Sequence, residues 1–277
     1  MAFKLPFKFK HKRKLLSFRY WLARFGAKSM SLFHEAGGLS ILFGKTLYSM
    51  ATAPWRKESI LDQMSKIGVT SLPLVFLTAL FTGMVLALQS AYQLRTFNAL
   101  RYTAGLVSLS ITRELGPVLT AMVVAGRVGA SITAEIGTMK VTEQIDALVS
   151  MGTDPIRYLT VSRFIAAVLM LPLLTIYADF VGMFGGFVVA VFKLGISSNL
   201  YIYDSFDVLV MKDVMTGLIK SFAFGGIIAI VGCYQGFRAK GGAEGVGIAT
   251  TLSVVTSLIL IIASDCLFTA VFYFVFP

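Results

Sequence analysis

The chain has 277 residues, of which 56% are hydrophobic and 14% charged, and its mean hydropathy is +0.79. Because soluble domains carry about 25% charged residues, this composition excludes an ordinary water-soluble protein and predicts an all-α, polytopic membrane protein. The formal net charge of +11 does not indicate nucleic-acid binding, since 13 of the 25 Lys and Arg residues precede residue 67 and predict a basic anchor at a membrane surface.

The residues that build metal and disulfide sites are scarce. Cys233 and Cys266 both fall in apolar segments, and the only histidines are His11 and His34. We therefore expect neither a disulfide framework nor a Cys/His metal site. We also expect no cofactor, because Leu39 stands where a phosphate-binding loop ending at Gly44-Lys45-Thr46 would need its first glycine.

The region 1–66 is predicted to be a basic interfacial domain that precedes a transmembrane domain over 67–277. Residues 1–34 contain nine Lys or Arg and no acid. Apolar residues recur there at helical spacing, which is typical of a helix lying in a membrane surface. A solvated tail or an organelle transit peptide is the alternative interpretation. Residues 36–55 are predicted to form a second interfacial or re-entrant segment.

Five apolar segments follow, each long enough for the roughly 20 residues that cross a bilayer core. We place them at 67–94, 102–126, 164–192, 214–237 and 245–276. Counting Lys and Arg on each side favours a cytoplasmic N-terminus, with 19 basic residues inside and six outside. This orientation places the polar segment 127–163 in the cytoplasm.

The polar segment between the second and third spans predicts a short amphipathic helix. Its apolar stripe consists of Val141, Ile145, Leu148 and Val149. Gly152 suits a left-handed C-cap, and Asp154-Pro155 predicts the start of the next helix. A helix of this kind lies across the ends of two spans.

Charged residues inside spans are costly and usually face a partner or a cavity. Arg113 and Glu114 are adjacent, so they point about 100° apart on a helix and are expected to face a polar cavity. The alternative is an ion pair between spans, for example Arg113 with Asp179 or Asp265. For Asp179, Lys220 and Asp265 we favour such structural pairing. Small residues at packing spacing, as in Gly182 and Gly186, indicate close helix contacts or a homodimer.

The segment 113–159, RELGPVLTAMVVAGRVGASITAEIGTMKVTEQIDALVSMGTDPIRYL, resembles the signature of the MlaE (YrbE) permease family. The likeness runs from about residue 84 to the C-terminus and includes LPLLTIYAD (171–179) and GFRAKGGAEGVGIATT (236–251). Members of this family are membrane subunits of MCE-associated ABC transporters. The resemblance implies a homodimer that carries phospholipid between membranes.

The resemblance also implies partners and a location. Two copies of a cytoplasmic ABC ATPase would bind ATP, an MCE-domain lipid-binding protein would sit on the outer side, and the permease itself would not be an enzyme. The host membrane would be a bacterial inner membrane or, alternatively, a plastid inner envelope. The basic N-terminal region would include the interfacial elbow helix.

Two sets of site residues follow from the same resemblance. The lipid cavity would be lined by Leu86, Gln89, Gln93, Leu94, Phe97, Arg113 and Glu114. The helix that couples the permease to the ATPase would present Glu143, Gln144, Ile145, Asp146, Leu148 and Met151.

A different class of function stays open at this point. An ion-coupled secondary transporter would use Glu114, Asp179 and Asp265 as a relay. Five spans without two matching inverted halves do not fit that architecture well. An intramembrane lipid enzyme would need paired acids or a His/Ser site, and the sequence shows only scattered acids.

Overall fold

The computed structural model describes residue 30 and the ranges 33–52 and 56–275. The surface helix predicted within residues 1–29 therefore lies outside the described residues. The chain divides into two compact units, residues 1–44 and 45–277. In the first unit residues 33–44 are helical. The five spans described below all belong to the second unit. The described ranges contain helices and turns and no strand, which confirms the all-α prediction.

Among the described residues, five helical segments are long and apolar enough to cross a membrane, which is the predicted number. The first to fifth spans are Lys57–Thr96, Leu100–Val141, Ile156–Phe192, Met211–Phe237 and Gly242–Phe274. The first comprises helices Lys57–Ile67 and Leu72–Thr96, joined by a 3-10 turn at Val69–Ser71. Two shorter helices lie between spans, Gln144–Ser150 after the second and Ser198–Asp207 after the third.

The first span begins at Lys57, ten residues before its predicted start at residue 67. Helix Lys57–Ile67 is amphipathic, with Ile60 and Ile67 buried and charged residues on the other face. Our prediction located spans by the absence of charge, and it therefore missed a helix that buries only one face. The second span ends at Val141 rather than near residue 126 for the same reason.

Three π-helical turns widen the spans. They are Ile111–Leu115, Ala125–Gly129 and Ile156–Thr160. The first has a clear local cause, because Pro117 lacks the N–H that would otherwise bond the carbonyl of Arg113 in an α-helix. That carbonyl instead accepts a hydrogen bond from the Nζ atom of Lys220, at 3.3 Å.

Glycines set the contact between the first and third spans. A side chain at Gly83 would collide with the carbonyl oxygen of Gly182, and one at Gly185 would collide with that of Leu80. The two backbones therefore lie in direct contact, as small-residue interfaces in membranes allow. The predicted small-residue motif at Gly182 is thus used for packing within the chain.

Helix Ser198–Asp207 packs against the third span through Tyr201. The Tyr201 ring meets Phe187 edge-on, with ring centroids 5.7 Å apart. Burial raises the pKa of Tyr201 to about 12. The hydroxyl therefore stays protonated at physiological pH, and it lies 3.4 Å from the carbonyl oxygen of Met183, to which it donates.

Candidate functional site: a charged cluster between spans and a helix at their ends

The centre of the site is Lys220, whose side chain is completely buried in the fourth span. Its Nζ atom lies 2.6 Å from Glu114 Oε2 and 2.9 Å from Asp265 Oδ1, and it donates to the hydroxyl of Thr269 at 2.7 Å. The Thr269 hydroxyl donates in turn to Glu114 Oε1 at 3.1 Å. One ammonium group thus joins carboxylates of the second and fifth spans.

Arg113 occupies the same π turn as Glu114 but has a different partner. Its Nε atom lies 3.5 Å from the carboxylate of Asp213, in the first turn of the fourth span. Arg113 therefore forms the ion pair between spans that was considered as the alternative, with Asp213 as the partner and not the suggested Asp179 or Asp265. Since neighbouring helix positions diverge by about 100°, Glu114 faces Lys220 while Arg113 reaches the start of the fourth span. Structural pairing was predicted for Lys220 and for Asp265 without naming partners, and the two residues pair with each other.

Asp179 was expected in an ion pair, and no such pair occurs within the described residues. Its side chain is buried in the third span, and Oδ1 has no hydrogen-bond partner there. The carboxylate lies against Gly116, where any side chain would collide with it. Gly116 follows the π turn that contains Arg113 and Glu114, so Asp179 contacts the backbone beside the cluster without pairing with either charge.

The predicted lipid-lining residues of the first span fall into two groups. Leu86 packs against the buried cluster of Ala87, Val107, Ile111 and Val189. By contrast, Gln89 and Gln93 are exposed, Leu94 is half-buried, and 80% of Phe97 is accessible. Gln93 and Phe97 line an open cavity of about 490 Å³ at the end of the span. Arg113 and Glu114 do not line that cavity.

A short helix at Gln144–Ser150 confirms the element predicted between the second and third spans. Glu143 precedes it in a left-handed conformation with φ of 60°, so it initiates the helix instead of lying within it. Asp146 accepts hydrogen bonds from Lys140 Nζ at 2.9 and 3.1 Å. Both predicted caps are present, since Gly152 has φ of +74° and Asp154 Oδ1 accepts the Ile156 N–H at 2.9 Å.

The apolar side chains of this helix are not all buried against the spans. Ile145 is buried and Leu148 half-buried, but 57% of Val149 and 71% of Met151 are exposed. Of the other predicted coupling residues, Gln144 and Asp146 are exposed as well. The helix is therefore anchored by Ile145 and by the pair of Lys140 with Asp146, and it leaves apolar side chains uncovered at the end of the spans.

The family model for the permease MlaE matches residues 60–271, which covers the charged cluster and the short helix together. The chain belongs to the MlaE permease family. It is a transporter permease subunit embedded in a membrane by five spans.

Named relatives of this MlaE-family permease come from several lineages. A probable ABC transporter permease protein of Rickettsia felis is 45% identical over 248 residues, which are 90% of this chain and 96% of that protein. A probable ABC transporter permease protein of Synechocystis is 44% identical over 86% of this chain and 90% of that protein. The chloroplastic protein TRIGALACTOSYLDIACYLGLYCEROL 1 of Arabidopsis thaliana is 39% identical over 85% of this chain and 68% of that protein.

One further ion pair of this MlaE-family permease was not predicted. Arg163 of the third span, whose side chain is only 7% exposed, donates to Glu135 Oε2 of the second span at 2.8 Å and to the carbonyl of Leu159 at 3.0 Å. Charges near helix ends are common in membrane proteins, so the sequence alone did not separate this pair from solvated charges. The second span thus carries an ion pair at Glu135 and another at Lys140.

Proposed function

We propose that the chain is the membrane subunit of an ABC transporter that moves phospholipids between membranes, working as a homodimer with two copies of a cytoplasmic ATPase. The observation that supports this most directly is the construction of the second span. One continuous helical segment contains Glu114 of the charged cluster and the adjacent Arg113 in its first half and leads into helix Gln144–Ser150 at its end. A displacement of that helix would therefore be transmitted along the span to the cluster.

The side chains of Arg113 and of the exposed part of the first span suit an amphiphilic cargo. Arg113 is half-exposed and offers a guanidinium to a phosphate, while the exposed part of the first span from Gln89 to Phe97 offers amides and an aromatic ring. Arg113 does not line the cavity formed by Gln93 and Phe97, and a shared cavity that contains both groups would be completed by a second copy. The name of the Arabidopsis relative refers to a galactolipid, which is in keeping with a glycerolipid cargo.

The mechanism follows from this arrangement. ATP binding would bring two copies of the ATPase together and displace the short helix through its exposed Val149 and Met151. The second span would move with the helix, because only Thr142 and Glu143 separate the end of the span from the start of the helix. Two permease subunits would then open or compress the shared cavity and pass lipid to or from an MCE-domain protein on the outer side. The N-terminus would lie in the cytoplasm, in a bacterial inner membrane or a plastid inner envelope.

The test is copurification of the full chain from its native membrane in mild detergent, with mass spectrometry of bound proteins and lipids. We expect Val149→Asp with Met151→Asp to lose the ATPase and to keep the phospholipid. The matched control is Val210→Asp with Met211→Asp, two residues that are similarly exposed at the opposite end of the spans. A wild-type chain that is folded but brings down neither an ATPase nor lipid would contradict the proposal.

An ion-coupled carrier is the second candidate, and one observation favours it. Lys220 engages Glu114 and Asp265, but Asp179 Oδ1 is buried without a hydrogen-bond partner among the described residues. A carrier would require Asp179 to bind and release a proton. Transport that persists without ATP, collapses with a protonophore and is lost in Asp179→Asn would favour the carrier. Transport that follows ATP hydrolysis and survives the protonophore would exclude it.

A further inference from the structure

A large cavity lies beside the short helix, at the end of the spans away from Arg113. Its volume is about 510 Å³, and it lies between residue 49, helix Lys57–Ile67 and the start of the third span. The lining residues are Ser49, Arg56, Ile60, Gly152, Thr153, Asp154, Arg157, Tyr158, Val161 and Ser162. Neither the charged cluster nor the exposed apolar residues of the short helix contribute to it.

The rim of the cavity is basic. Arg56 and Arg157 both line it, and neither is in an ion pair within the described ranges. The guanidinium of Arg56 lies over the Tyr158 ring, 4.5 Å from the ring centroid. This stacking holds the planar group in place and leaves its edge N–H donors available, which is the geometry that arginine uses to bind phosphate.

The acid at the rim does not neutralise this charge. Asp154 is the only carboxylate among the described residues that line the cavity, and its Oδ1 atom already accepts the N–H of Ile156 at 2.9 Å. The helix start is therefore satisfied by the protein itself, and any anion in the cavity would be bound by the two arginines. With two guanidinium groups and one carboxylate, the rim keeps a net positive charge.

The floor of the cavity is apolar. Ile60 and Val161 line it, and both belong to a buried cluster with Ile165 against which Met50 and Met64 pack. A free phosphate ion or a sugar phosphate has nothing to place on such a floor. A phospholipid does, because the glycerol and the first methylenes of its acyl chains lie directly beneath the phosphate.

We propose that this cavity, defined by Arg56, Arg157, Tyr158, Ile60 and Val161, binds the phosphate-bearing headgroup of an anionic phospholipid from the adjacent leaflet. It is a lipid site separate from the transport cavity and does not depend on the proposed cargo. The bound lipid would contact Gly152 and Thr153, the residues that directly follow the short helix.

The test is native mass spectrometry of the full chain in detergent, titrated with dioleoyl phosphatidylglycerol. We expect one tightly retained lipid for each chain, and weaker retention of dioleoyl phosphatidylcholine. Arg56→Gln with Arg157→Gln should weaken phosphatidylglycerol binding about 25-fold, since each basic residue near an anionic lipid contributes about fivefold. Arg238→Gln with Lys240→Gln is the matched control, because it removes two positive charges at the same end of the spans, and one of them also lies over a tyrosine ring.

A second variant addresses the cavity without changing its charge. Thr153→Trp keeps both arginines and places a large ring in the cavity that Thr153 lines, so it should also lose the retained lipid. This variant tests the proposal independently if the double glutamine variant fails to fold. Equal loss in the two charge-removing variants would show general attraction of anionic lipid and overturn the proposal. So would retention of the lipid in Thr153→Trp, or displacement of the lipid by millimolar inorganic phosphate.

Discussion

The second span holds charges in two settings that differ in almost every respect. In its first half, Glu114 meets a Lys220 side chain with no exposed surface, and Asp265 and Thr269 complete the contacts of the ammonium group. At its end, Lys140 and Asp146 are paired across 2.9 Å with side chains 33% and 60% exposed. An ion pair removed from water is very costly to break by deleting one partner, whereas an exposed one contributes little. The span is thus held more strongly by the cluster in its interior than by the pair at its end.

The largest effect is expected from Lys220→Met, which removes a fully buried ammonium group and leaves the carboxylates of Glu114 and Asp265, 41% and 22% exposed, facing each other. Because this exposure reduces the cost of a charge left without its partner, we expect a loss of about 3 kcal/mol in the free energy of unfolding, the lower end of the range for buried pairs. Thermal unfolding in detergent would measure it, with the exposed Lys193→Met as control. Adding Glu114→Gln and Asp265→Asn should recover much of the loss. An unfolding temperature unchanged from wild type would show that the interior is not fixed by this cluster.

An intermediate effect should come from the glycine contact that aligns the first and third spans. Gly83→Ala places a methyl group against the carbonyl of Gly182, so we expect a loss of about 1–3 kcal/mol from overpacking. Gly126→Ala meets nothing within 4 Å and should be neutral or slightly stabilising, since alanine favours the helix. The free energy of unfolding of both variants would be measured in the same detergent. Equal changes in the two variants would contradict direct backbone contact at Gly83.

The smallest effect should come from Lys140→Met at the end of the span. Because both side chains of the pair are substantially exposed, we expect less than about 1 kcal/mol, and the difference from wild type should shrink further at high salt. Unfolding at low and high sodium chloride concentration would test this. A loss as large as that of Lys220→Met would remove the contrast between interior and end.

The number of spans and the short helix with both caps followed from the sequence because each depends on local signals. Gly152 and Asp154 act on their immediate neighbours. The partners of Arg113, Asp179 and Arg163 could not be predicted in this way. The pairing of carboxylates with cations depends on the rotation of each span about its axis relative to spans that are distant in sequence. No local sequence pattern specifies this rotation.

The two π turns of the second span have a consequence for residue register. Each accommodates one residue more than an α-helix would, and one residue corresponds to a rotation of about 100°. Counting residues along an ideal α-helix from the start of this span therefore misplaces every side chain beyond the turn at Ala125–Gly129 by about 200°. The span corresponds to a regular helix with two inserted residues. A chain shortened by one residue in each turn should keep Glu135 facing Arg163, whereas a single deletion elsewhere in the span should turn it away.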